Sequence, residues 1–194
     1  MVRSAAHLLG TQGMNATSFS EVVAHSEAPR GSIYHHFPGG KRQLTEAAVR
    51  WVADRVLSHQ RAFSGTTPED VVRWFAGAWR RLVVDSQARA GCAIAGVAVD
   101  LTEDDDVLKE AVRASFRSWT GTLAEQLIAT GLPRARANGV ALAVVAGMEG
   151  ALILCRAEGD VAPMDAITDE LARLVAPSAS FGMRAETPNA KLDT

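Results

Sequence analysis

The chain has 194 residues, 47% of them hydrophobic and 22% charged, a balance that allows a substantial buried core. Its net charge of −2 excludes a uniformly basic nucleic-acid binder. The charge is uneven, however: residues 1–50 hold Arg3, Arg30, Lys41, Arg42 and Arg50 against Glu21, Glu27 and Glu46, a net of +2 that leaves −4 on the remainder. Cys92 and Cys155 form no pair or cluster at metal-ligand spacing, and read as reduced thiols of a cytoplasmic protein. No signal peptide opens the chain. The most apolar stretch, Ala141–Leu154, is broken by Gly147, Glu149 and Gly150, and falls short of the roughly 20 apolar residues of a membrane span.

Taken in chain order, the elements are helices throughout, with no alternating Val/Ile/Thr run of the kind strands require. Residues 2–11 form a first helix that stops at Gly13. Ser18 caps a second over 19–25, with Glu21 three residues later as in a capping box. Pro29 opens a third, which ends at Phe37-Pro38-Gly39-Gly40. Longer helices follow over 41–63, from Thr67-Pro68-Glu69 to about Val84, over Cys92–Leu101, from an acidic start at Asp104–Asp106 to about Thr130, over 134–157 and over 163–175. The expected architecture is all-α: an N-terminal three-helix domain with helix-turn-helix spacing (1–46), a larger helical domain (47–176) and a disordered tail (177–194).

The stretch from Thr17 to Phe37 carries the function. Two short helices joined by a turn of about three or four residues have the spacing of a DNA-binding helix-turn-helix. Phe19, Val22, Val23, Ile33 and Phe37 face inward and set the crossing angle. The outward face of the second helix carries Arg30, Ser32, Tyr34, His35 and His36, all able to donate hydrogen bonds and none acidic. Arg30 stands in the first turn, where bases are met, and Gly31 leaves room for close approach to the duplex. Thr17 and Ser18 open the preceding helix, and Lys41 opens the following one; all three are candidate phosphate contacts. A metal shared by His35 and His36 is not expected, because adjacent helical side chains point about 100° apart.

These residues resemble the DNA-binding domain of the TetR family: Ala6-x-x-Leu9-x-x-x-Gly13, Thr17-Ser18-Phe19, Gly31-Ser32-Ile33-Tyr34-His35-His36-Phe37 and Lys41-x-x-Leu44. The Ala-Pro-Arg-Gly-Ser opening of the recognition helix and the following Pro-Gly-Gly-Lys resemble the LmrA-like branch. The close match covers residues 3–46, with local echoes beyond it at Gly91-Cys92 and from Glu149-Gly150-Ala151 to Arg156-Ala157. Two departures stand out. Glu27 occupies the turn where the family has glycine, at a cost of about 1–2 kcal/mol if that residue is left-handed. The basic arm before the first helix is reduced to Met1-Val2-Arg3.

The resemblance implies that residues 47–176 form a larger helical ligand-binding and dimerisation domain, with a ligand pocket and a dimer interface. The residues allow both. Phe75, Trp79, Leu82, Phe116, Trp119, Leu123, Met148 and Leu152 are candidate lining for an apolar cavity, with the small residues Ala93–Val99 leaving volume; packed core is the competing reading for each. Residues 140–154 are apolar nearly all round and need covering, with Gly147 and Gly150 permitting close approach. The reading is a regulator, in the family's usual mode a repressor, that binds a near-palindromic operator as a homodimer and is released by a small apolar or aromatic effector. It requires no cofactor or metal, and no catalytic residue pattern points to an enzyme. The alternatives are a thiol-based redox sensor using Cys92 or Cys155 and a helical dimeric scaffold.

Overall fold

The computed structural model describes residues 1–29, 31 and 35–176. Eight helices have defined bounds among the described residues: α1 (Val2–Ala16), α2 (Phe19–Ser26), α3 (Gly40–Arg61), α4 (Pro68–Asp85), α5 (Ala93–Asp100), α6 (Asp106–Ala129), α7 (Arg134–Glu158) and α8 (Ala162–Val175). Gly31, His35 and His36 are also helical, so the expected third helix is present where it is described. There is no strand among the described residues. Arg30, Ser32, Tyr34 and the expected tail at 177–194 lie outside them.

Helix ends follow local chemistry. Thr67 accepts from the Asp70 backbone N–H at 3.1 Å while the Asp70 carboxylate accepts from the Thr67 N–H at 3.0 Å, a complete capping box with Pro68 behind it. Glycines turn left-handed where the backbone requires it: Gly159, at φ 70°, ends α7, and Gly13, at φ 81°, breaks α1 one turn before its end. The sequence placed the stop at Gly13; the helix instead resumes to Ala16, because Asp100 at the end of α5 accepts from the Asn15 backbone N–H at 2.8 Å and satisfies the interrupted ladder. The acidic start of α6 lies where it was expected, with a different role. The Asp105 carboxylate accepts from the Thr102 backbone and hydroxyl and from Arg42 rather than capping its own helix.

One hydrophobic core runs from Leu9 and Val22, in the first two helices, through Phe75, Trp119 and Met148 to Met164 and Val175. α3 crosses the boundary expected at residue 46 as a continuous helix, burying Leu44, Ala48, Val49 and Ala53 along one stripe. A buried polar network fastens it to α6: the Trp119 indole donates to Ala53 O at 3.1 Å, Gln60 donates to Trp119 O at 3.0 Å, and Gln126 donates to Gln60 O at 2.6 Å. α7 is long and apolar enough to cross a membrane by length and composition, but it lies in the bundle between α6 and α8, burying Val144, Met148, Leu152 and Cys155. Gly147 lets α8 approach, since a Cβ there would come within 2.9 Å of Leu171 Cδ1.

Candidate DNA-binding surface and effector cavity

Three short-range features build the N-terminal surface. The Ser18 hydroxyl accepts from the Glu21 backbone N–H at 3.2 Å, and the Ser18 N–H donates to Glu21 Oε2 at 2.7 Å, so the capping box expected here is complete. The bonds from Ser18, backbone first, hold the Glu21 carboxyl below its ordinary range. α2 then ends at Glu27 with φ 54° and ψ 22°, the left-handed turn in which the family carries glycine. Beyond it, Gly31, His35 and His36 are exposed, with the two imidazoles edge to face at 5.5 Å.

The predicted phosphate contacts differ in availability. Ser18 is exposed. Lys41, in the first turn of α3, is exposed, with Nζ 3.5 Å from Asn15 O, and so stands beside the end of α1 and the start of α2. Thr17 is only 4% exposed, and its hydroxyl donates to Gly13 O at 2.7 Å. It satisfies a carbonyl freed by the Gly13 break, and a phosphate would have to displace that bond. His7 and His25 stack at 5.0 Å between α1 and α2, and burial, then His25, depress the His7 pKa.

The head is locked onto the body by backbone placed on backbone. The Gly91 N–H donates to Gly10 O at 3.0 Å; a Cβ on Gly10 would lie 2.5 Å from Gly91 O, and one on Gly96 would lie 2.5 Å from Leu9 O. Arg156, from the far end of α7, donates to Thr11 O at 2.8 Å. Next to this seam, the Cys92 thiol faces the Glu149 carboxyl, which burial pushes up to about 7 and whose Oε1 is buried without a hydrogen-bond partner. The local sequence echoes at Gly91-Cys92, Glu149 and Arg156 are therefore one structural feature, the joint. Their convergence could not be read from residues so far apart in the chain.

Of the eight candidate cavity residues, Phe75, Trp79, Trp119, Leu123, Met148 and Leu152 belong to the hydrophobic core, and Leu82 and Phe116 are packed against it. Phe75, Trp119, Leu123, Met148 and Leu152 are each no more than 2% exposed. Trp119 meets Trp79 and Phe116 edge to face, each at 5.6 Å. Trp79 and Leu82 also line an open cavity of about 480 Å³ on the other side, between α1, α3, α4 and the segment 90–93. Trp51, Arg55 and Arg81 complete its wall; none of them was singled out in the sequence, where their helical spacing reads as ordinary amphipathicity. A second groove, about 660 Å³, runs between α3 and α6 and holds none of the eight.

Neither thiol suits redox sensing. Both cysteines are buried, and burial raises both pKa values, that of Cys92 with help from Glu149. A redox sensor needs the opposite, an accessible low-pKa thiolate. Among the described residues no group of three or more His, Cys, Asp or Glu side chains could hold a metal ion.

Comparison with known proteins agrees with this architecture. Residues 2–48 match the model of the bacterial regulatory proteins of the tetR family, and residues 68–170 that of the LmrA/YxaF-like transcriptional regulator C-terminal domain. An HTH-type transcriptional regulator of Mycobacterium tuberculosis is 34% identical over 180 residues, covering 90% of this chain and 92% of the relative. The LmrA regulator of Bacillus subtilis is 27% identical, covering 79% and 83%. A TetR transcriptional regulator from Legionella pneumophila superposes with a TM-score of 0.81 over 90% of this chain and 95% of its own, at 22% identity, a likeness of fold. One from Chloroflexus aurantiacus does so with a TM-score of 0.71 at 29% identity, covering 90% and 91%. With its two-part match, its capped α2, its left-handed turn and its helical body, the chain belongs to the TetR family of DNA-binding transcriptional regulators, in the LmrA/YxaF-like branch.

Proposed function

We propose that the protein is a cytoplasmic homodimeric repressor that binds a near-palindromic operator and is released by a small, largely apolar effector. The observation that carries the reading is the pairing of the capped α2 and its Glu27 turn with an uncovered apolar face at the opposite end of the chain. On α7, Leu142 is 62% exposed, Ile153 70% and Leu154 54%. These residues lie on one side of the helix, and Gly150 between them has open space around it. An exposed apolar stripe of this kind is expected to be covered by a second copy through a two-fold interface, together with α8, where Leu174 is also exposed. A dimer would present two recognition helices to successive major grooves about 34–36 Å apart. Arg30, Gly31, Ser32, Tyr34, His35 and His36 are the proposed contacts to the duplex, with Ser18, Lys41 and, after release of its bond to Gly13, Thr17 at the phosphates.

The test is fluorescence anisotropy on DNA from upstream of the protein's own gene, at two salt concentrations. Specific, salt-sensitive binding is expected. Lys41→Ala should weaken it on all sequences and reduce the salt slope by about one, whereas Arg30→Ala should relax specificity. Ile153→Asp should halve the mass in sedimentation and abolish tight operator binding. A monomeric wild-type protein, or equal affinity for unrelated DNA, would defeat the proposal.

A further inference from the structure

We propose that the cavity at the joint of head and body is a binding site for an organic anion with a flat apolar body. Two independent observations support it. The first is charge. Arg3, Arg55 and Arg81 line the cavity with Asp85 as the one carboxylate, and none of the three guanidiniums has an ion pair or hydrogen bond among the described residues. On the same helix as Arg81, Arg73 and Arg80 are both paired, to Asp169 at 2.7 Å and to Asp165 at 2.7 Å. Arg55 lies over the Trp51 ring, 5.0 Å from its centroid, which holds the cation at the cavity wall.

The second observation is an orphan donor. Trp79 is 4% exposed and lines the cavity, yet its indole N–H has no acceptor. Buried indole N–H groups nearly always find a partner, and an acceptor atom on a bound molecule would supply one. Val52, Val56, Ala78 and Leu82 add apolar surface to the same lining. A carboxylate, sulfonate or phenolate at the arginines, a flat hydrocarbon body against these side chains and an acceptor toward Trp79 use every feature present. The volume of about 480 Å³ suits a molecule of two or three fused or linked rings.

The position gives the site its consequence. Arg3, Ala6 and His7 belong to α1 of the head, while Trp79, Arg81 and Leu82 belong to the body, so an occupant touches both parts beside the Gly10–Gly91 seam. That occupancy shifts DNA affinity rests on the regulator reading above; the binding site itself does not.

The experiment titrates the full chain, without DNA, with 8-anilinonaphthalene-1-sulfonate and with its uncharged counterpart N-phenyl-1-naphthylamine. Arg55→Ala/Arg81→Ala should weaken the sulfonate probe by about tenfold or more while moving the neutral probe less than about twofold. Ala78→Leu, which fills the cavity, should weaken both. The arginine variant changes solvent-facing side chains, so its melting temperature should match wild type and keep the titration interpretable. An unchanged affinity for the sulfonate probe in the arginine variant, or equal loss of both probes there, overturns the proposal, as does indifference of both to Ala78→Leu. Operator anisotropy in parallel separates the two readings: absence of DNA binding would strike the regulator, and the probe titration would still report on the cavity.

Discussion

At the joint, the carbonyls of Gly10 and Gly91 sit where a Cβ on the opposite residue would lie, within 2.8 Å in both directions. On the outer face of α7, a Cβ on Gly150 would meet nothing within 4 Å, and Ile153 projects into solvent. The two regions use the same residue type for opposite ends. The first needs glycine because backbone must lie against backbone, which leaves a head that can shift only if the seam opens. The second has room, and its apolar side chains form the face proposed to meet a second copy. Both regions draw on one helix: Arg156 of α7 reaches the joint, while Leu142, Ile153 and Leu154 of α7 form the open face.

The sharpest way to break this contrast is to add one methyl group to each region. Gly91→Ala should destabilise the fold by about 3 kcal/mol in urea unfolding, since backbone must move to admit it. Gly150→Ala should leave the isolated subunit unchanged or raise its stability by up to about 1 kcal/mol through helix propensity. Equal effects at the two positions would erase the distinction.

The joint has a pH dependence that the outer face lacks. Glu149 is raised from an ordinary 4.5 to about 7 by burial, so folding takes up a proton between those values. Its contribution is intact below about pH 4.5 and is lost as pH rises to about 7, at a cost of roughly 3 kcal/mol in the alkaline range. Glu149→Gln should remove most of that slope and leave the variant about 2–3 kcal/mol more stable than wild type at pH 8. A variant with the wild-type slope would show that Glu149 is solvated. Smaller effects belong to the head. Ser18→Ala removes the α2 cap and should cost about 1 kcal/mol. Glu27→Gly, at a left-handed residue, should stabilise by up to about 1 kcal/mol and tighten DNA binding by removing a charge near phosphates.

Much of the head was legible because its determinants are local. The Ser18–Glu21 capping box and the break at Gly13 depend on residues within four positions, and the order of helices follows from their periodicity and from breaks such as Pro68 and Gly131-Leu132-Pro133; the end of α2, expected at 25, falls at Ser26. What residues touch across the chain was not legible. An aromatic set on α4 and α6 is equally compatible with an open chamber and a filled core. Only the crossing of those helices brought Trp79, Trp119 and Phe116 edge to face.

For the same reason the cavity opened elsewhere, bordered by residues of α1, α3, α4 and the segment 90–93. Residues 3, 55, 79 and 81 meet there because Gly10 and Gly91 allow two backbones to approach. Local hydrogen-bond chemistry and periodicity determined the helices and the α2 cap, and the motif resemblance around Thr17–Phe37 pointed to the family. The tertiary structure alone decided which buried side chains are core, which thiol faces a carboxyl and where an empty volume remains, because these depend on distances between segments that no pattern along a single helix encodes.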